Sequence, residues 1–454
     1  MSEHYSTNSP ASAPSTKDLK RVLGFGDLMG AAVGQIIGAG IMSLMGIAIA
    51  MTGRSAMISF IIAAVLILIN TLPSVIVTGT VRMRGGMYTQ AALLGTTTFG
   101  GVVMFLSFFG NLSLAMYALS FADYFFRFIP GVPTRLVAIV VFTGFWLLNM
   151  FGIDKMAKVQ NVIVVIMCVA LALFAAFGAG KVQPGFFAEG FMTNGILGIL
   201  QAAALLTFAT GGAMIIVNLS GEAKNPVRDV PMAMIASTVL VAVLYAFLAS
   251  VAAGVLPVED VAGKPLTQVA ETVLPAPLFV FFIVGGAMFA LASTLNSQFA
   301  SGTKPMLQGS VDGWLPQKLA YIHPRFRTPM IWLTIFYGLG LIPIITGLDI
   351  GEVANMVLII NQIMMLVLNI LLIRLPKAVP EMWDKSKYRI SVSALAFIAV
   401  VSVLCGGVTI VLLISSSTPF LMAGNGVMLA FSFFYCYFRS KSGKVKMEVS
   451  YEAQ

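Results

Sequence analysis

The sequence contains little charge. Only 10% of its 454 residues are Asp, Glu, Lys or Arg, and 58% are hydrophobic, whereas an ordinary soluble domain has about 25% charged residues. Apolar runs of about 20 residues recur along nearly the whole chain, enough for a helix to cross the ~30 Å hydrocarbon core of a bilayer. The alternating pattern of a membrane β-barrel is absent. The composition therefore predicts an all-α integral membrane protein.

Groups that carry hydrolytic or metal chemistry are also scarce. The cysteines, Cys168, Cys405 and Cys436, have no motif spacing and favour apolar packing. The two histidines, His4 and His323, fall in the first residues and in a loop. No acidic residue lies at mid-membrane depth, so the sequence offers no carboxylate pair and no nucleophile beside a base. We therefore predict that the protein is not an enzyme and has no cofactor other than, in one interpretation, a sodium ion.

Residues 1–23 are rich in Ser, Pro and Thr and lack an apolar stretch. They predict a disordered cytoplasmic tail, with no cleavable signal peptide. Charge clusters and Pro/Gly punctuation divide the remaining chain into twelve predicted transmembrane helices, followed by a cytoplasmic tail, 439–454. The helix cores are 24–50, 56–80, 100–126, 134–152, 158–180, 194–220, 231–256, 277–303, 329–347, 352–375, 391–414 and 420–438.

Lysine and arginine concentrate in alternate segments between these helices. With the N-terminus inside, 22 of the 27 basic residues lie in cytoplasmic segments and five lie in outer segments. This positive-inside bias predicts that both termini are cytoplasmic and that the protein is a multi-pass protein of the cell membrane. The net charge of +9 then suits contact with lipid headgroups, and it gives no reason to expect a nucleic-acid partner.

The stretch GQIIGAGIM, Gly34 to Met42, weakens the first predicted helix at its midpoint, because glycine costs about 1 kcal/mol relative to alanine inside a helix. Gly30, Gly34 and Gly38 are spaced by four and are typical of a packing ridge. Gly40 lies off that ridge, and a second glycine-rich break occurs in FATGG, Phe208 to Gly212. Two interrupted helices at corresponding positions in two halves indicate a transporter with a binding site at the membrane midplane.

Such breaks suit a zwitterionic substrate. The N-terminus of a half-helix offers N–H donors and a positive dipole end to a carboxylate, and the opposite end offers carbonyls to an ammonium group. Removing the two charges of an amino acid from water costs several kcal/mol each, whereas one charge-assisted hydrogen bond returns only about 1.5 to 3 kcal/mol. Several donors and acceptors must therefore converge, which two adjacent breaks can supply.

Three motifs, in order, resemble those of the amino acid-polyamine-organocation (APC) transporters. GQIIGAGIM is similar to the family's helix-1 motif, GEAKNPVRDVP (Gly221 to Pro231) to the segment after helix 6, and DGWLPQKLAYIHPRFRTP (Asp312 to Pro329) to the pattern after helix 8. The resemblance covers about residues 20 to 440. It implies the leucine-transporter fold, in which helices 1–5 (24–180) and 6–10 (194–375) form inverted repeats and two peripheral helices (391–438) follow.

The resemblance also implies a substrate site at the two breaks. The backbone N–H groups of Ala39 and Gly40 would bind the carboxylate, and the carbonyls of Ile36, Phe208 and Gly211 would bind the ammonium group. Phe208 would also close over the substrate as the outer gate. The remaining residues of the predicted binding set are Ile37, Gly38, Ala209 and Thr210. Glu222, in the GEAKNP segment, is a candidate for the inner gate.

Departures from the family pattern bear on the substrate. Met214 stands where a cation-selective relative would have an acid, and Met42 where an aromatic residue is usual. Thr210 is then expected to be the main polar side chain near the site. Because an extra buried ammonium would have no partner, we expect a neutral amino acid, apolar or small, as the transported substrate.

The coupling ion is a separate question. Many sodium-independent relatives have a lysine in helix 5 that takes the place of the ion, and here that position is Met167. In sodium-coupled members, two carbonyls of helix 1 and three oxygens of helix 8 bind the ion. The matching residues here are Gly34, Ile37, Ala290, Ser293 and Thr294. Sodium-coupled symport and sodium-independent exchange are therefore both open, and a sensor of this fold without flux is a remote alternative.

Overall fold

The computed structural model describes residues 19–129, 131–187, 190–346, 350–415, 417–447 and 451–452. Within these residues, ten helical stretches are long and apolar enough to cross a membrane. Two further apolar helices, Thr134–Met150 and Met330–Thr346, are shorter; 17 residues span about 26 Å, a little less than the ~30 Å core. The all-α membrane class is thus confirmed, and the count of twelve spans stays a prediction.

The helices overlap the predicted cores, but the predicted helix 100–126 is divided at residues 111–112. In chain order the α-helices are α1 Phe25–Ile36, α2 Ala39–Thr52, α3 Ala56–Thr78, α4 Met87–Leu94, α5 Thr97–Gly110, α6 Ser113–Phe128, α7 Thr134–Met150, α8 Ile153–Ala179, α9 Gly195–Thr210, α10 Pro226–Gly254, α11 Val258–Val261, α12 Thr267–Val273, α13 Ala276–Phe281, α14 Phe289–Val311, α15 Met330–Thr346, α16 Ile350–Leu371, α17 Leu375–Ala378, α18 Pro380–Lys385, α19 Val392–Ser415 and α20 Pro419–Lys441. Two short strands, β1 Arg82–Met83 and β2 Tyr451–Glu452, pair antiparallel.

The first span is interrupted where the glycine motif predicts it. Helix α1 ends at Ile36 and α2 begins at Ala39, and Gly38 between them has φ −145° and ψ −143°. The second interruption has a different form from the one expected. Instead of an unwound turn, α9 continues as a 3-10 helix from Gly211 to Glu222, called here the 3-10 segment. Because 3-10 helices longer than three or four residues are uncommon, these twelve residues mark an irregular half of the span.

The two interrupted spans lie next to each other at the centre of the helix bundle. Helix α1 packs against α8, α10, α14 and the 3-10 segment, and α2 packs against α9. Helix α14 also contacts α6, α7 and α8. Residues from distant parts of the sequence therefore surround both breaks.

The segment before α1 is ordered by backbone hydrogen bonds. The amides of Val22 and Leu23 both donate to the carbonyl of Glu222 at 3.0 Å, and the amide of Lys224 donates to the carbonyl of Leu23 at 2.9 Å. The prediction of a disordered tail through residue 23 is therefore wrong for Val22 and Leu23, because their backbone pairs with that of Glu222 and Lys224. Residues 1–18 of that predicted tail lie outside the described residues.

Candidate functional site

Glycines bring the two breaks into direct contact. A Cβ atom added to Gly40, at the start of α2, would lie 2.5 Å from Cα of Ala209 in α9. A Cβ added to Gly212 would lie 2.6 Å from the amide nitrogen of Ile36. Each break thus has a glycine where the other approaches, and a side chain at either position would overlap backbone atoms.

A cavity of about 170 Å³ lies beside this contact. Five residues of the predicted binding set line it: Ile36, Gly38, Gly40, Phe208 and Gly211. Phe208 also packs against the apolar cluster of Leu358, Ile359 and Leu413. The structure therefore brings the two predicted breaks together around one cavity.

Three other predicted binding residues, Ile37, Ala209 and Thr210, are 0%, 1% and 1% exposed and are not among the residues that line the cavity. The expectation that Thr210 is the main polar side chain at the site is wrong, because Thr210 is not among the residues that line the cavity. Its hydroxyl donates to the carbonyl of Leu206 at 3.1 Å. Thr207, almost one turn earlier, lines the cavity instead. The backbone of Ala39 begins α2, and its side chain lies outside the description.

The structure adds polar side chains that sequence reasoning missed. Nε2 of Gln35 donates to Oε1 of Gln298 at 3.1 Å, and Nε2 of Gln298 donates to Oδ1 of Asn111 at 3.1 Å. Asn111 in turn donates to the carbonyl of Ser107 at 2.7 Å. All four residues line the cavity, and no charged residue is among the described residues that do. Only the packing of α1, α14 and the α5–α6 junction brings these three amides together.

The two methionines used to predict substrate class have different positions. Met214 lines the cavity. Met42 is 0% exposed in the core, and its carbonyl accepts a hydrogen bond from Tyr124 at 3.1 Å. The carbonyl of Ile36, which the family resemblance assigns to the ammonium group of the substrate, accepts a hydrogen bond from the hydroxyl of Tyr245 at 2.9 Å. One of its two lone pairs is therefore engaged.

Most of the predicted sodium ligands lie close together. The hydroxyl of Thr294 lies 2.9 Å from the carbonyl oxygen of Gly34 and 3.0 Å from that of Ala290. The oxygen of Ser293 accepts a hydrogen bond from Nε2 of Gln160 in α8 at 2.7 Å. Carbonyl and hydroxyl oxygens suit a hard cation, but the bond to Ala290 is also the ordinary back-bond of a helical threonine.

Gln160 of α8 faces this cluster. The three atoms nearest to a Cβ built on Gly34 belong to Gln160, Ser293 and Val164. Gln160 is held in place because its Oε1 accepts a hydrogen bond from Asn296 at 2.9 Å. Met167 is a fully buried core residue.

Glu222 forms a buried ion pair with Lys304 of α14. Oε1 of Glu222 and the ammonium nitrogen of Lys304 are 2.9 Å apart, and the side chains are 1% and 5% exposed. Oε2 of Glu222 has no hydrogen-bond partner among the described residues. The pair connects the end of the 3-10 segment to α14.

The DGWLP motif forms a second polar cluster. The phenol of Tyr88 donates to Oδ2 of Asp312 at 2.5 Å, and Nε1 of Trp314 donates to the Tyr88 oxygen at 3.1 Å. Gln308 donates to the other oxygen of Asp312 at 3.0 Å. Burial, together with the Asp312 carboxylate, holds the pKa of the Tyr88 phenol well above its usual range. Tyr88 therefore remains a protonated donor at neutral pH.

Comparisons with known proteins agree with the sequence motifs. The amino acid permease family profile matches residues 23–436. The branched-chain amino acid permease of Bacillus subtilis is 29% identical over 352 residues, 72% of this chain and 75% of that protein. The methylthioribose transporter of the same organism is 25% identical, over 87% of this chain and 88% of its own. The serine/threonine exchanger of Bacillus subtilis is 24% identical, over 71% of this chain and 76% of that protein.

Proposed function

Because the chain belongs to the amino acid permease family of the APC superfamily, we propose that it is a secondary active transporter of neutral amino acids that works by alternating access. The observation that carries the proposal is the mutual contact of the two helix breaks at Gly40 and Gly212, beside a cavity with no charged residue among its described lining. A substrate with a net charge would find no opposite charge there.

The binding roles follow from the helix ends. The N–H groups of Ala39 and Gly40 at the start of α2 bind the substrate carboxylate, supported by the positive end of the helix dipole. Carbonyls of Phe208 and Gly211 at the end of α9 bind the ammonium group, and the Ile36 carbonyl contributes its second lone pair. The Phe208 ring is the outer gate. Its place on the cavity lining, against the cluster that includes Leu358, supports this role.

The proposal includes the membrane arrangement. We propose twelve spans in the leucine-transporter fold, with helices 1–5 and 6–10 as inverted repeats, in the cell membrane. An even number of spans puts both termini on the same side, and the excess of basic residues in the predicted inner segments supports the cytoplasmic side. The inner gate is the Glu222–Lys304 pair. It connects the span that contains the second break to α14, so these two elements cannot separate on the cytoplasmic side without breaking the pair.

Two coupling modes are compatible with this site. In symport, Gly34, Ile37, Ala290, Ser293 and Thr294 bind one sodium ion, whose entry contributes about 2.3 kcal/mol per 100 mV of membrane potential. Sodium-independent exchange is the second candidate, and one observation favours it. The N–H group of Gln160 already donates to Ser293 at 2.7 Å, so an amide dipole occupies one approach to the cation site.

Uptake into proteoliposomes tests the function and separates the two modes. Purified protein is assayed with labelled neutral amino acids, with sodium or choline outside and with or without unlabelled amino acid inside. Uptake that needs sodium and is lost in Ser293→Ala/Thr294→Ala supports symport. Uptake that needs internal amino acid, is independent of sodium and survives the double substitution supports exchange. Absence of flux for every amino acid in all conditions overturns the transport proposal.

The matched control for the double substitution is Ser402→Ala/Thr409→Ala in α19. These two residues are also buried, their hydroxyls donate to the backbone carbonyls of Ile69 and Cys405, and neither residue lines the cavity. Uptake by the control should equal uptake by the parent in both salts. A loss shared by both variants would report damage to the fold and would remove the support for a sodium site.

A further inference from the structure

The cavity offers side-chain amides to the substrate as well as the helix ends. We infer that the transported amino acid has a hydrogen-bonding, uncharged side chain, a hydroxyl or a carboxamide, and that Gln298 is the residue that selects it. This inference rests on the proposed transport function and names the substrate class of the same site. The sequence analysis expects a neutral amino acid, apolar or small. The inference keeps the neutral substrate and replaces the apolar side chain with a polar one.

The first observation is the chain of amides from Gln35 through Gln298 to Asn111, with both hydrogen bonds at 3.1 Å. The three residues come from different spans, and all of them line the cavity. An apolar substrate side chain lying against them would exclude water from the amides without replacing its hydrogen bonds, which is unfavourable. A polar side chain would replace them.

The second observation is an acceptor without a partner. Oε1 of Gln35 is buried and has no hydrogen bond within the described part of the chain. An O–H or an amide N–H group of the substrate side chain could donate to this oxygen. Gln298 can supply the reciprocal donor, because its amide nitrogen has two N–H groups and the bond to Asn111 uses one. Hydroxyl and carboxamide groups both donate and accept, so they complement this pair.

Gln298 is the residue to change because it is the middle of the chain. It accepts from Gln35 and donates to Asn111, so its removal affects both neighbours at once. It lies four residues after Thr294 on α14, and residues at this spacing share a helix face. Both residues line the cavity, so Gln298 lies one turn along the same face from the predicted sodium cluster.

Threonine and valine provide the test, since their side chains have nearly the same shape and differ in one hydroxyl. In proteoliposomes, the ratio of kcat/KM for threonine over valine should be about tenfold or more for the parent. Gln298→Leu should lower or reverse that ratio. Gln90→Leu is the matched control: Gln90 is fully buried, donates to Ser74 at 3.1 Å and is not a lining residue, so the ratio should remain that of the parent.

The outcomes distinguish this inference from the function beneath it. Flux with valine equal to or better than threonine in the parent overturns the inference and leaves transport intact. Flux of no amino acid overturns transport itself. If Gln298→Leu does not fold, the preference can be measured on the parent alone, as the rise in melting temperature with threonine compared with the rise with valine. Equal stabilisation by both would also overturn the inference.

Discussion

Oε1 of Glu222 and the ammonium nitrogen of Lys304 lie 2.9 Å apart in a nearly fully buried ion pair. Removing one member of such a pair leaves a buried charge without a partner, and the usual cost is about 3–5 kcal/mol. Replacing both members with apolar residues of similar volume is often close to neutral. Variants of this pair can therefore show whether it contributes to gating independently of its effect on stability.

We expect Lys304→Met to lower the melting temperature strongly and to abolish uptake. Glu222→Leu/Lys304→Met should recover most of the stability, because no buried charge is left without a partner. The inner gate should still fail to close in this variant. A cysteine placed at the cavity should then react with a thiol reagent from the cytoplasmic side faster than in the parent. The control is Asp384→Asn, which breaks the exposed pair of Asp384 with Arg389, 3.4 Å apart, and should change little. Labelling at the parental rate in the stable double variant would contradict the gate.

Gly40 should not tolerate even a methyl group. Its added Cβ would lie 2.5 Å from Cα of Ala209, so Gly40→Ala must move one break away from the other and should abolish uptake. Gly144→Ala is the matched control within a helix, because nothing lies within 4 Å of the added atom and alanine favours a helix. Its uptake and melting temperature should equal or exceed those of the parent. Normal uptake by Gly40→Ala would show that the close contact is not required.

Tyr88→Phe should destabilise the protein by about 1–3 kcal/mol, because it removes a donor to the buried Asp312 carboxylate and the acceptor for Trp314. Thermal unfolding in detergent measures the loss. Tyr321→Phe serves as the control, since Tyr321 is 45% exposed, and it should leave the transition unchanged. Equal transitions for the parent and Tyr88→Phe would mean that water replaces the phenol at no cost.

The orientation of the chain can be measured with single cysteines in a background without native cysteine. Lys318 and Lys264 are both exposed and lie in segments predicted to be on opposite sides of the membrane. An impermeant thiol reagent should label Lys264→Cys in intact cells and Lys318→Cys only after the cells are opened. The reverse pattern would invert the topology.

The sequence predicted the position of both breaks because glycine acts locally, through the backbone of the helix that contains it. The sequence did not predict the tertiary contacts of these segments. Gly40 meets Ala209, and Glu222 meets Lys304, across many intervening residues. The amides of Gln35, Gln298 and Asn111 were missed because only the packing of three distant spans brings them together. Thr207 was missed because the rotation of α9 about its axis, which tertiary packing sets, decides whether Thr207 or Thr210 faces the cavity.

The 3-10 segment has a mechanical consequence. Its twelve residues, Gly211–Glu222, extend roughly 24 Å at the 3-10 rise and would extend about 18 Å at the α-helical rise. One end lies at the cavity and the other at the ion pair with Lys304. Rewinding this stretch would thus shorten it by about 6 Å and pull on the buried carboxylate from the substrate end, making the segment a tether whose length depends on its winding.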